Sequence, residues 1–313
     1  MPYLNTTHLH LLLNHIPTVG MVMGLGLFLL SFVRRNEHLR HASLEVFFLL
    51  ALATLPAYLT GLAAQEAIAG RPEVSAQAIA AHHDGALLGF ILMQITGFVA
   101  WLALWQFRRL GRPAGWTSPA LLLLAVLTLT LMGSAASVGG EIRHPEIMLD
   151  ESVIAPGGRW LTAASVQEIV TANPWVWPAA ETLHFIGLSL MFGVLFVVNL
   201  RLLGGIRAVS FASVHRLLPW GMLGFGVNLV TGMLFFIAAP EQYTNNGPMF
   251  WKVGFMMVAG ADLLYLTVFD KLWALEPGDD TTILDKVIAA SAIGAWVGVI
   301  YAGRMLPFLG NAF

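Results

Sequence analysis

The chain has 313 residues, 57% of them hydrophobic and 11% charged, with a mean hydropathy of +0.74, which excludes ordinary soluble usage and predicts lipid as the solvent. A net charge of −2, without a basic stripe, predicts no nucleic-acid binding. The absence of cysteine excludes disulfides, iron–sulfur clusters and covalently attached c-type haem, so any metal must be held by His, Met, Asp or Glu.

The apolar residues form eight runs, each long enough to cross about 30 Å of hydrocarbon as a helix. No positively charged region precedes the first run, and no small-residue cleavage site follows it, so we expect this helix to be retained. We therefore predict an all-α integral membrane protein. The runs lie near 12–33, 44–64, 86–107, 119–138, 182–203, 217–239, 249–269 and 288–309.

Positive charge separates the loops into two groups. Four of them, 34–43, 108–118, 201–216 and 270–286, hold most of the 16 lysines and arginines. Since basic loops stay in the cytoplasm, the termini and the other loops are predicted to face the periplasm. We expect a multi-pass protein of the bacterial inner membrane with both termini outside.

The two halves of the chain resemble each other in parallel, as expected when each half has four spans. We predict a first four-helix bundle at 1–147, a periplasmic connector with a short surface helix at 148–181, and a second bundle at 182–313. The pairs that this alignment matches are His15 with His184, Thr60-Gly61 with Thr231-Gly232, Gly85 with Gly254, and His83 with Lys252.

Seven of the 10 histidines fall on the outer face in this topology. His15 and His83 begin the first and third spans, which run in the same direction and lie diagonally across a bundle. A b-type haem requires two imidazoles facing each other between apolar walls. His15 and His83 are therefore the predicted iron ligands. The seven are His8, His10, His15, His82, His83, His144 and His184.

The second half lacks a matching pair, because Lys252 stands where the alignment expects a histidine. A symmetric second haem is therefore not expected, and His184 would need a ligand from elsewhere, such as His144. His8, His10 or His82 are alternative ligands between which the sequence does not choose. His41 and His215 match each other at the inner face, where solvated helix ends are favoured over an inner haem.

Three motifs resemble a known family: Asn-His-Ile-Pro at 14–17, His-His-Asp-Gly at 82–85 and Gly-Gly-Glu-Ile-Arg-His at 139–144. They are similar to those of bacterial four-helix membrane domains predicted to bind haem, broadly of the cytochrome b561 type. The resemblance is clearest over 1–147. It implies one or two b haems and electron transfer with quinone or a periplasmic redox partner.

Polar residues suggest where protons would move. Asp262, near the centre of the seventh span, is a candidate proton or quinone residue, with a structural bond to Tyr265, Asn228 or a neighbouring carbonyl as the alternative. Glu66 and Glu141 are candidate acceptors of a quinol proton. Lys252 and Arg304 are candidates for pairing with haem propionates.

The first functional hypothesis is a membrane cytochrome b subunit that links the quinone pool to a periplasmic cytochrome or another redox subunit. A second is a copper-handling protein resembling the copper resistance protein D family, since imidazole and thioether both suit copper. Its 13 methionines are scattered within the spans rather than clustered with histidine. A third hypothesis is a membrane anchor of a larger complex without a cofactor.

Overall fold

The computed structural model describes residues 5–71, 74–143 and 162–309. Every regular element in these ranges is a helix, and eight helical segments are long and apolar enough to cross a membrane. The prediction of an all-α multi-pass membrane protein is confirmed. The eight segments are Thr6–Val33, Glu37–Ile68, Ala76–Leu110, Thr117–Ile142, Val176–Leu202, Phe211–Ala238, Gly247–Val268 and Ile283–Leu309.

Some spans contain more than one helix. The first is interrupted at Asn14, and the sixth begins with a short separate helix. The helices are α1 (Thr6–Leu13), α2 (His15–Val33), α3 (Glu37–Ile68), α4 (Ala76–Leu110), α5 (Thr117–Arg143), α6 (Ala163–Ala172), α7 (Val176–Leu202), α8 (Phe211–His215), α9 (Leu218–Ala238), α10 (Glu241–Thr244), α11 (Gly247–Val268), α12 (Asp270–Trp273) and α13 (Ile283–Leu309).

The chain divides into two compact units, Met1–Ser165 and Val166–Phe313, and the division falls within α6. In the first unit, α2 packs on α3, α3 on α4, α4 on α5, and α5 returns to α2. These helices form a closed four-helix bundle, and α1 lies against α3. Large side chains such as Phe28, Phe47 and Trp101 fill its core and are fully buried.

The second unit has a different packing order. Helix α9 packs on α7, α7 on α13, and α13 on α11. Within the described part of the chain, α9 and α11 are not among the closely packed pairs, so the helices form a row rather than a closed ring. Helix α7 begins at Val176, before the predicted start of the second bundle at 182.

Helices α7 and α9 cross at two glycines, as is common where membrane helices approach closely. A Cβ built on Gly224 would lie 2.6 Å from the carbonyl oxygen of Gly187 and 2.8 Å from the amide nitrogen of Met191. Both atoms belong to the backbone, which cannot rotate away as a side chain can. The contact between α7 and α9 therefore depends on glycine at position 224.

Replacing Gly224 with alanine is expected to destabilise the second unit by about 1–3 kcal/mol, the usual cost of overpacking. The matched control is Gly226→Ala on the same helix, since a Cβ there meets nothing within 4 Å. Thermal unfolding of both variants in detergent checks the prediction. Equal melting temperatures for the two variants would show that the crossing tolerates a Cβ.

Arg201, in the last turn of α7, is fully buried. Its guanidinium donates hydrogen bonds to three carbonyl oxygens, those of Val209, Glu276 (3.0 Å) and Asp279 (3.3 Å). These acceptors lie in the two loops that follow α7 and α12. One side chain therefore ties together both basic loops of the second unit.

Replacing Arg201 with methionine is expected to cost about 2–4 kcal/mol, because buried carbonyl groups lose their donors. Arg207→Met provides the control, since Arg207 forms an exposed ion pair with Asp280 at 3.1 Å and such pairs contribute little. Thermal unfolding in detergent compares the two. A larger loss of stability for the Arg207 variant would contradict this role of Arg201.

Candidate functional site

His10 lies in α1 and turns toward α3. Its Nδ1 is 3.1 Å from the carbonyl oxygen of Ala57, and the ring is half-buried. The ring fits there because position 61 is glycine: a Cβ on Gly61 would lie 2.9 Å from Cε1 of His10. The imidazole therefore occupies a space that the missing side chain of Gly61 leaves.

His82, near the start of α4, makes the corresponding contacts with α5. Its Nδ1 is 2.7 Å from the carbonyl oxygen of Ala135, and a Cβ on Gly139 would lie 2.9 Å from its Cε1. The ring is also half-buried. Two imidazoles from different helices are thus held in the same way, each by a backbone carbonyl and each beside a glycine.

The two rings lie close together at one end of the bundle. Their centroids are 6.5 Å apart and their planes are inclined by 76°. A carbonyl oxygen only accepts hydrogen bonds, so in the neutral ring Nδ1 carries the proton and Nε2 keeps its lone pair. This tautomer, fixed by a hydrogen bond from the other ring nitrogen, is the form in which histidine binds a metal.

The predicted pair, His15 and His83, is not brought together by any ring contact among the described residues. His15 is exposed, and Nε2 of His83 lies 3.3 Å from the hydroxyl of Tyr58. The reason is rotation: adjacent helix positions differ by about 100°, so His82 and His83 point in different directions. The site uses His10 and His82, which the sequence left as alternatives.

The residues around His83 form a polar group of their own. The Asp84 carboxylate accepts a hydrogen bond from the backbone N–H of Ala163 at 2.9 Å, at the start of α6. The Tyr58 ring also packs on Phe90, with centroids 4.9 Å apart. Proton-carrying side chains therefore lie next to His82 in the chain and on the adjacent helix α3.

The predicted acidic residues of the first unit differ in burial. Glu141 is only 7% exposed, two residues beyond Gly139, and its Oε2 accepts no hydrogen bond from the described residues. Glu66, near the end of α3, is half-buried. His144, a predicted ligand, lies outside the described residues. Glu141 is therefore a buried carboxylate at the same helix end as the His82 site.

In the second unit, His184 resembles His10. Its Nδ1 is 2.8 Å from Oγ1 of Thr231, whose hydroxyl donates to the carbonyl oxygen of Val227 at 2.7 Å. Since that hydroxyl proton is already committed, Nδ1 of His184 is the donor and Nε2 keeps its lone pair. A Cβ on Gly232 would lie 3.8 Å from Cε1 of His184.

Lys252, in α11, places its amine beside α13. A Cβ on Gly303 would lie 3.6 Å from Nζ. The residue is half-buried. His184 and Lys252 therefore each lie beside a glycine of the following span, Gly232 and Gly303.

Tyr243 and Glu181 are neighbours at the end of the second unit where α7 begins. Burial and the nearby carboxylate of Glu181 raise the pKa of Tyr243, in the short helix α10, to about 12. Its ring packs on Phe236, with centroids 5.6 Å apart. Tyr243 is therefore a neutral phenol at physiological pH.

Asp262 and Arg304 do not join either histidine site in the described contacts. Asp262 lies about 15 Å along α11 from Lys252, and its oxygens are 3.3 and 3.4 Å from the hydroxyl of Ser291. The guanidinium of Arg304 is exposed and lies over the ring of Phe308, 5.6 Å from its centroid.

The expected structural partners of Asp262 were wrong. Tyr265 donates to the Asp285 carboxylate, and Asn228 donates to the carbonyl oxygen of Gly224. The solvated position expected for His215 was also wrong, because this ring is fully buried and packs on Trp273 with centroids 4.0 Å apart. Both errors arose because hydropathy does not report which neighbour a polar side chain meets.

The sequence analysis kept His10 and His82 only as alternative ligands, although one sequence pattern points to the position of His10. Thr60-Gly61 and Thr231-Gly232 recur in the two halves, and each glycine lies beside a histidine of the preceding span. No group of three or more His, Asp or Glu side chains arranged to hold a metal ion occurs among the described residues. The His10–His82 pair offers two side-chain ligands rather than three or more.

Comparisons with known proteins identify no relative. No family model matches the chain, and neither a curated protein nor a solved structure matches it significantly.

Proposed function

We propose that the first unit is a b-type cytochrome that binds haem between His10 and His82 and transfers electrons at the end of the bundle where these histidines lie. The observation that carries this proposal is the pair of half-buried imidazoles, 6.5 Å apart between centroids, with each Nδ1 bonded to a main-chain carbonyl. This arrangement leaves the Nε2 lone pairs of two imidazoles, one on α1 and one on α4, free to bind a metal.

The distance between the rings suits a shared iron. A bond from a metal to an imidazole nitrogen is about 2.0–2.1 Å long, and the ring centroid lies about 1 Å behind that nitrogen, so two axial imidazoles have centroids about 6 Å apart. The observed 6.5 Å is close to this value. Both Nδ1 atoms are also fixed by carbonyl oxygens, which holds the two rings at this separation.

The surroundings also suit a noncovalent haem. The chain has no cysteine, so attachment depends on the two histidines and on apolar contact. Gly61 and Gly139 leave space for the two rings, and Tyr58 and Phe90 supply aromatic surface on α3 and α4. Bundle cores between facing helices are a common place for such cofactors.

Haem would supply one-electron chemistry through its iron, which fits oxidation of a membrane quinol in two single-electron steps. Each quinol releases two electrons and two protons, so the site also needs proton acceptors. Glu141 is a buried carboxylate close to Gly139, and His83 with Tyr58 is a second candidate. Glu66 and Asp262 remain candidates at greater distance, and Arg304 remains a candidate for a propionate partner.

The electrons would pass to a periplasmic cytochrome or another redox subunit. The basic loops predict that the His10 end of the bundle faces the periplasm in a bacterial inner membrane, so the redox partner is expected on that side. The chain would then serve as the membrane subunit of a redox complex, with quinone and lipid as its small-molecule partners.

The decisive experiment is an optical spectrum of the full chain purified from haem-replete cells, with haem quantified as the pyridine complex. We expect a Soret band and, after dithionite reduction, the α band of low-spin b-type haem. Protein that is colourless and does not take up added haemin would overturn the proposal. Stoichiometric copper binding by such protein would favour the copper-handling hypothesis instead.

A further inference from the structure

We propose that the second unit holds a haem of its own, with Nε2 of His184 and Nζ of Lys252 as the two iron ligands. The inference rests on the proposed function in treating these bundles as haem sites, but it concerns different residues. It also differs from the expectations that Lys252 disfavours a symmetric second haem and that it pairs with a haem propionate.

The first support is the equivalence of His184 and His10. Both rings lie beside the glycine of a Thr-Gly pair in the following span, at Gly232 and Gly61. Both have Nδ1 engaged by an acceptor on that same helix, the Thr231 hydroxyl or the Ala57 carbonyl. In each case the neutral ring presents the lone pair of Nε2, the form that ligates iron.

The second support is the position of Lys252. In the first unit, the third span supplies His82 beside Gly139 of the fourth span. In the second unit, the third span supplies Lys252 beside Gly303 of the fourth, with 3.6 Å between Nζ and a Cβ built on that glycine. Contacts therefore match Lys252 with His82, whereas the sequence alignment matched it with His83.

The third support is the chemical isolation of the amine. Among the described residues, no carboxylate forms an ion pair with Lys252, and the side chain is half-buried. Lysines near a membrane surface normally extend their ammonium group toward water. Nζ of Lys252 instead lies beside Gly303 without an acidic partner, in a position to bind a metal.

The packing of the second unit differs from that of the first at the helices beside the two ligands. Helices α9 and α11, which carry Thr231 and Lys252, stand at the two ends of the helix row in the described part of the chain. The corresponding helices of the first unit, α3 and α4, pack closely against each other.

The test is haem stoichiometry of the full chain in detergent, with electron paramagnetic resonance of the ferric protein. Wild type is expected to hold about two haems per chain, one with two imidazole ligands and one with imidazole and amine. Lys252→Met should remove about half of the haem and the imidazole–amine signal alone. Lys252→His should restore the haem with a second bis-imidazole signal, and Lys286→Met serves as the control.

The outcomes separate this inference from the proposed function. One haem in wild type that disappears in the His10→Ala, His82→Ala double variant would overturn the second site and leave the first intact. One haem that survives this double variant but is lost in Lys252→Met would support the second site and overturn the first. Two haems in Lys252→Met, or loss of a bound quinone without loss of haem, would overturn ligation by Lys252.

Discussion

Replacing His10 or His82 with alanine is expected to remove the haem held by this pair and the bis-imidazole spectrum with it. Each ring is held by a backbone carbonyl and lies beside a glycine, so the direction of its Nε2 is fixed. Even loss of an outer partner of a ligand weakens metal binding about 10–100-fold, and loss of the ligand itself should exceed that. Haem titration and reduced-minus-oxidised spectra of each variant measure the effect.

His15→Ala and His83→Ala are the matched controls, since His15 lies in the same span as His10 and His83 follows His82 in α4. His15 is exposed and His83 contacts Tyr58, so both variants should keep the bis-imidazole signal. If haem were lost in the His15 and His83 variants but kept in the His10 and His82 variants, the ligands would be His15 and His83, as the sequence predicts.

Replacing Gly61 or Gly139 with valine is expected to abolish haem binding at the same site without unfolding the bundle. A Cβ at either position would lie 2.9 Å from the Cε1 of its histidine, too close for the ring to stay. The displaced atoms belong to a rotatable side chain, so the ring moves and the helices keep their packing. We expect haem affinity to fall about 10–100-fold or more, as when a ligand loses its orientation.

Gly26→Val and Gly133→Val separate this effect from the general consequences of adding valine to a membrane helix. A Cβ at either control position meets nothing within 4 Å, and Gly133 shares α5 with Gly139. Circular dichroism and size-exclusion profiles should be alike for all four variants. Normal haem content in the Gly61 and Gly139 variants would mean that the rings do not need these spaces.

The membrane fold was predictable because the relevant information is local. A span requires about 20 mostly apolar residues, and the eight runs of this chain meet that condition independently of their neighbours. The predicted edges differ from the observed ones where polar residues extend a helix beyond the apolar run, as Glu37 does in α3 and Gln77 in α4. Such residues satisfy their backbone groups within the helix while their side chains remain near water.

The candidate site was only partly predictable. The sequence indicated that histidines gather at one end of the first bundle and that imidazole is the available haem ligand. It did not identify His10, because His15 gave the better match to His184 in an alignment of the two halves. The contacts of Gly61 and Gly232 instead make His10 the equivalent of His184.

By itself, the sequence determined an all-α protein with eight spans and a metal chemistry limited to ligands other than cysteine. These properties depend on the length and hydropathy of each apolar run and on the residue composition, which do not depend on how the helices pack. Only the tertiary structure decided which histidine of each cluster faces its counterpart, and that Lys252 matches His82 rather than His83. A single step along a helix turns a side chain by about 100°, and the rotation of each helix is set by its packing against others.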